Sequence, residues 1–193
     1  MTFSQPFLDR NRLFSATRAH HGKKIYPAGE LCVITCLDPR TDPAEFLQAE
    51  LGEIAVIRNA GGRVTREVLN DLTLITFLAE KKLRPESEAL FEVAIVHHND
   101  CGTKALADEQ FRHAFAEHTH LSEAALVAEA VVDPALTVAT DVDLALHHNA
   151  LSRKISVSGH VYDVETGLLT TVIPTSPMPA IAAPEMAPEE GAR

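Results

Sequence analysis

Three short apolar runs constrain this chain more than any other feature. Residues 31–36 (Leu-Cys-Val-Ile-Thr-Cys), 54–57 (Ile-Ala-Val-Ile) and 91–96 (Phe-Glu-Val-Ala-Ile-Val) are rich in β-branched residues and too short for helices. Each stops at residues that turn a chain: Asp38-Pro39-Arg40, then Asn59-Ala60-Gly61-Gly62, then His97-His98-Asn99-Asp100-Cys101-Gly102. Between the second and third runs, Val64, Val68, Leu72, Ile75 and Ala79 recur at helical spacing, which predicts a helix within 63–82. Helical segments are also expected at 103–117, 121–131 and 136–150. Strands that alternate with helices, each strand nearly all apolar, predict a parallel sheet covered on both faces by right-handed crossovers. Residues 155–162 and 168–173, separated by Asp163-Val-Glu-Thr-Gly167, read as a closing strand pair joined by a tight glycine turn. The expected fold is therefore α/β, with a central mostly parallel sheet flanked by helices and a C-terminal strand pair.

The ends read differently. Residues 1–28 mix Phe7, Leu8, Leu13 and Phe14 with polar positions, as expected of an N-terminal helical arm whose apolar side needs a partner surface. Five of the eleven prolines fall from Pro174 onward, so 174–193 is expected to be a flexible tail and 29–173 the single folded domain. Trp is absent, and the core must be built from Leu, Ile, Val and Ala with eight Phe as large fillers. The formal charge of −10 disfavours a nucleic-acid backbone or an anionic membrane as partner and leaves small molecules open. The first thirty residues hold no apolar stretch behind a basic start, and no later run reaches the roughly 18 residues of a membrane span. A soluble, cytoplasmic protein is the expectation. Three cysteines without a secretion signal point to reduced thiols, metal ligands or core residues rather than a disulfide framework.

In a parallel sheet, strand ends of the same polarity emerge on one edge, so Cys36 can meet the pair His98 and Cys101. Two thiolates and one imidazole are good zinc ligands, and three protein ligands leave a fourth tetrahedral position for water. Alone, His-x-x-Cys is a weak signal. The ordered set Cys36-x-Asp38-x-Arg40, Asn59-Ala60-Gly61-Gly62, His98-x-x-Cys101-Gly102 and Gly159-x-Val-Tyr-Asp163 is much stronger and resembles the β-class carbonic anhydrases over roughly residues 30–173.

That resemblance implies one zinc ion per subunit on Cys36, His98 and Cys101, with Asp38 and Arg40 as a catalytic dyad beside the metal-bound solvent. It implies reversible hydration of carbon dioxide by a zinc-bound hydroxide, and a homodimer or a tetramer built of dimers that would cover the N-terminal arm. The same family contains carbonyl sulfide and carbon disulfide hydrolases, so sulfide-releasing hydrolysis is the alternative activity. A non-catalytic protein, in which Asp38 closes the zinc as a fourth ligand, is the second alternative. Ala60, Gly61, Gly62 and Gly102 are expected to let backbone approach the substrate. Pro39 and Asn99 depart from the commoner Ser or Ala and Thr, and the tryptophan of a regulatory bicarbonate site is missing. His20, His21, His97, His147 and His148 are conceivable proton shuttles, with a surface or structural role the expected reading. Cys32 is expected to be a core thiol, and His97 to point away from His98.

Overall fold

A computed structural model describes residues 4–180. Helix α1 (Gln5–Thr17) comes first, followed by β1 (Leu31–Cys36), the one-turn α2 (Pro43–Phe46) and β2 (Ile54–Asn59). Then come α3 (Arg66–Leu78), β3 (Glu92–His98), α4 (Glu109–Thr119), α5 (Glu123–Glu129) and α6 (Pro134–Leu146). The chain closes with β4 (Ser156–Tyr162) and β5 (Leu169–Pro177). The helices start where polar caps allow it: Thr65, Asp108, Ser122 and Asp133 each accept a backbone N–H from the first turn they precede. The segment expected to be helical from 103 divides instead into a 3-10 stretch, Gly102–Ala107, and α4, because Asp108 caps a new helix.

The five strands lie in the order β2-β1-β3-β4-β5, the first four parallel and β5 antiparallel to β4. Alternation along each strand sends Cys32, Ile34, Val93, Ile95 and Val157 to one face, where Val68 and Leu72 of α3 and Val138 and Val142 of α6 complete the main core. Cys32 is the core thiol expected of it. Val33, Val96 and Tyr162 face the other way, under Phe46, whose ring stacks on Tyr162 at 4.6 Å between centroids. Helical cover is thus uneven, thick on the first face and one turn deep on the second. Gly159 has a packing reason: a Cβ there would stand 2.9 Å from Val142 Cγ2.

The sequence-based boundary at 173 needs correction. β5 continues through Pro174 to Pro177, and Met178 is buried, its N–H donating to Ile155 O. Among the described residues β5 pairs only with β4, and an edge strand tolerates proline because one row of its backbone groups has no ladder partner. The rest of the expected tail, 181–193, lies outside the described residues. Among the described residues none of helix α1 is buried, and Phe7, Leu8, Leu13 and Phe14 are exposed. Among the described residues no helix is long and apolar enough to cross a membrane.

Candidate metal centre

Strand order decides where the site lies. β1 leads to β2 on one side while β3 returns on the other, so the order reverses between β1 and β3, and a crevice opens at their carboxyl ends. Cys36 is the last residue of β1 and His98 the last of β3, with Cys101 in the turn that follows. Their candidate ligand atoms all lie within 4.8 Å of one another, and all three residues are buried. The two sulfurs are 3.9 Å apart. The turn between His98 and Cys101 is made by Asp100 in the left-handed region at φ 52° and by Asn99, whose Oδ1 accepts the Val164 N–H at 2.9 Å. Asn in place of the commoner Thr therefore ties this turn to the β4–β5 connection.

The donor set fits a metal ion. Among the described residues neither buried ring nitrogen of His98 has a hydrogen-bond partner, an arrangement that goes against the rule that buried polar atoms are satisfied. The hydrogen bond between the thiols pulls Cys101 down, while that same bond and burial push Cys36 up. One proton leaves the pair readily and the second is held between the sulfurs. A divalent cation can replace that second proton, and two sulfurs with one imidazole match zinc.

Asp38 stands beside this cluster, not in it. Its N–H donates to Cys36 Sγ at 3.4 Å, and its carboxylate receives a fork from Arg40, Nε to Oδ1 at 3.0 Å and Nη2 to Oδ2 at 2.7 Å. Hydrogen bonds from the Arg40 side chain hold the Asp38 carboxyl down at about 2. The backbone explains Pro39: the Thr41 N–H returns to Asp38 O, so 38–41 is a turn with proline at its second position, and the Arg40 N–H caps Asp38 Oδ1 at 2.9 Å. Proline presets the dyad. Arg58 secures the same turn from β2, reaching Cys36 O at 3.0 Å and Asp38 O at 2.7 Å.

Sequence reasoning missed several contributors. Asp100 takes Arg40 Nη1 at 2.8 Å, so Arg40 serves two carboxylates. Thr103 Oγ1 lies 3.3 Å from Cys101 Sγ, and Arg63 pairs with the buried Asp141 of α6. Nothing in local spacing links Arg40 to Asp100 or Arg63 to Asp141, which are 60 and 78 positions apart. Of the glycine turn, Gly62 is spoken for by packing: a Cβ would meet Cys36 N at 2.7 Å. Gly61, at φ 83°, lies against Thr103 and Val131. Ala60 and Gly102 do line a hollow of about 630 Å³, together with Ile57, Phe111, Phe115 and Leu126. A larger hollow of about 1250 Å³ lies at the opposite ends of the strands, remote from the cluster. His20, His21 and His147 are exposed, and His97 is buried against α6, with its ring turned away from His98 as expected.

Comparison with known proteins places this arrangement. The carbonic anhydrase family profile matches residues 31–121. Beta-carbonic anhydrase 1 of Mycobacterium tuberculosis is 28% identical over 148 residues, 77% of this chain and 85% of that protein. A carbon disulfide hydrolase of an Acidianus strain is 23% identical over 164 residues, 70% of this chain and 74% of that protein. Among solved structures, carbonic anhydrase from Streptococcus mutans superposes with a TM-score of 0.64 at 27% identity, covering 89% of this chain and 99% of that one. Sheet order, the cysteine–histidine cluster and these matches all indicate the β-class carbonic anhydrase family.

Proposed function

We propose that the protein catalyses the reversible hydration of carbon dioxide to bicarbonate, with one zinc ion held by Cys36, His98 and Cys101. The observation that carries this reading is the Asp38–Arg40 fork, which holds the nearby carboxylate to arginine and leaves the cluster with three ligands. Zinc, when bound there, lowers the pKa of coordinated water and so supplies a nucleophile near neutral pH.

The protein's own residues supply the rest. Arg40 keeps Asp38 ionised, hence acceptor-only, so Asp38 can take the hydrogen of a solvent O–H at the cluster and aim its lone pair outward. Arg58 and Thr41 fix the turn that carries both residues, each binding the Cys36 and Asp38 carbonyls. The hollow that Ala60 and Gly102 share with Ile57, Phe111, Phe115 and Leu126 is largely apolar and suits the approach of a small substrate without charge.

Hydrolysis of carbonyl sulfide or carbon disulfide is the second reading, favoured by the likeness to carbon disulfide hydrolases and by that same apolar hollow. A purely structural zinc is the third, and the arginine fork speaks against it, because a closed site has no use for a managed carboxylate. A zinc-loaded preparation assayed for proton release with carbon dioxide and for sulfide release with both thio-substrates separates the three. Sulfide release at much the higher efficiency replaces the first reading by the second. Activity on none of them, together with full zinc retention in Asp38→Ala, replaces both by the third.

The assembly belongs to the same proposal: a homodimer, or a tetramer of dimers, in which the 1–28 arm covers a neighbour, as the unburied apolar residues of α1 favour. Residues 29–173 then form the catalytic domain, with the strand extension to Pro177. Three free cysteines are compatible with the reducing cytoplasm proposed as its location.

A further inference from the structure

His98 has no orienting partner of its own. A histidine that binds metal through one nitrogen is ordinarily aimed by a hydrogen bond at the other, yet among the described residues neither ring nitrogen of His98 has one. Its neighbour His97 carries the partners instead. Turned to the opposite face of β3, His97 sets Nδ1 2.7 Å from Thr137 Oγ1 and Nε2 3.1 Å from Asp141 Oδ2, both on α6. The plane of the peptide joining the two histidines is thereby tied to α6.

Asp141 holds a second element with the same carboxylate. It receives Arg63 Nε and Nη2, each at 2.9 Å, and the Val64 N–H at 2.9 Å. With His97 that makes four donors on a side chain of zero exposure, which is what a buried ion needs to persist. Arg63 follows directly on Gly62, where the backbone presses on β1 so closely that a Cβ would meet Thr35 C at 2.8 Å and Cys36 N at 2.7 Å. One carboxylate thus anchors the strand residue next to one ligand and the loop that bears on another.

We propose that Asp141 is a positioning residue for the metal centre, setting the separation of Cys36 and His98 through the Arg63 loop and the His97 ring while touching neither ligand. This rests on the zinc reading above. A clamp of this kind should show in how long the ion is kept, whereas a mere staple of the fold would show only in stability.

The test compares zinc-loaded wild type with Asp141→Asn, Thr137→Val and Leu72→Ala, following zinc transfer to a chromogenic chelator and Tm in parallel. Leu72 of α3 is buried in the main core and its apolar side chain takes no part in the hydrogen bonds to Asp141 or His97, so its truncation reports loosening alone. The expected result is zinc release about 10- to 100-fold faster in Asp141→Asn, the range known for outer partners of metal ligands. Thr137→Val should release zinc several-fold faster, and Leu72→Ala at the wild-type rate despite a lower Tm. Stoichiometric zinc in wild type with unchanged release from Asp141→Asn overturns the inference alone. Equal acceleration in Leu72→Ala overturns it too. Absence of bound zinc in the wild type overturns the zinc reading and the inference with it. Should Asp141→Asn not fold, Thr137→Val decides, since it leaves the Arg63 pair intact: a wild-type release rate there refutes the clamp.

Discussion

Two aspartate–arginine pairs flank the cysteine–histidine cluster, alike in chemistry and opposite in setting. Asp38 and Arg40 stand two residues apart on one turn, with side chains 14% and 46% exposed. Asp141 and Arg63 come from α6 and the loop after β2, 0% and 9% exposed. The outer pair shares its arginine with Asp100 and faces solvent, so a carboxylate there can exchange partners at small cost. The inner pair has no solvent to take over its hydrogen bonds, so it is held in one arrangement. The contrast is that of a part that works and a part that holds.

The largest effect should come from breaking the inner pair outright. Asp141→Ala leaves the Arg63 charge buried without its partner and should lower stability by roughly 3–5 kcal/mol, read from urea unfolding. A loss no greater than that of an ordinary surface substitution would erase the distinction between the two pairs. The outer pair should answer in turnover. Arg40→Ala should keep stoichiometric zinc and a near-native Tm while kcat falls by about 100-fold or more, whereas Cys36→Ser should lose zinc. Equal zinc loss in both variants would contradict the division of roles.

A titration sharpens the comparison further. Arg40 holds the folded Asp38 carboxyl at about 2, below its ordinary value, so the pair contributes stability above the unfolded pKa that fades as pH falls through about 2. Carboxyl NMR of Asp38 in Arg40→Gln should show a return to the usual range, near 4. An unchanged Asp38 would mean that the arginine does not control it. The smallest effect is expected from Asp100→Ala, which removes one of the two carboxylates on Arg40, at the exposed rim, and should slow turnover only a few-fold with zinc retained.

Much of this is legible in the sequence. The run 31–36 and β1 coincide, because a β-branched stretch closed by proline and charge has few other conformations open to it. The ligand candidates stood at strand ends, and a parallel sheet sends those ends to one edge. Residues 174–177 were misjudged because proline content signals disorder locally, while sheet-edge pairing is a property of β4 lying alongside. Asp141 was passed over for a related reason: within 136–150 it reads as one polar position on a helix, and only its burial against Arg63 and His97 gives it meaning.

The sequence by itself determined the strands, the punctuation that ends them and the residue types able to hold zinc, since propensity, periodicity and donor chemistry act over a few residues. Tertiary structure alone decided that β1 and β3 are neighbours at the point where strand order reverses. It also decided that Asp38 lies on arginine outside the cluster, and that a helix near residue 140 braces a centre made of residues 36, 98 and 101. Those outcomes depend on which distant surfaces can be buried together, a free energy that no short stretch of chain contains.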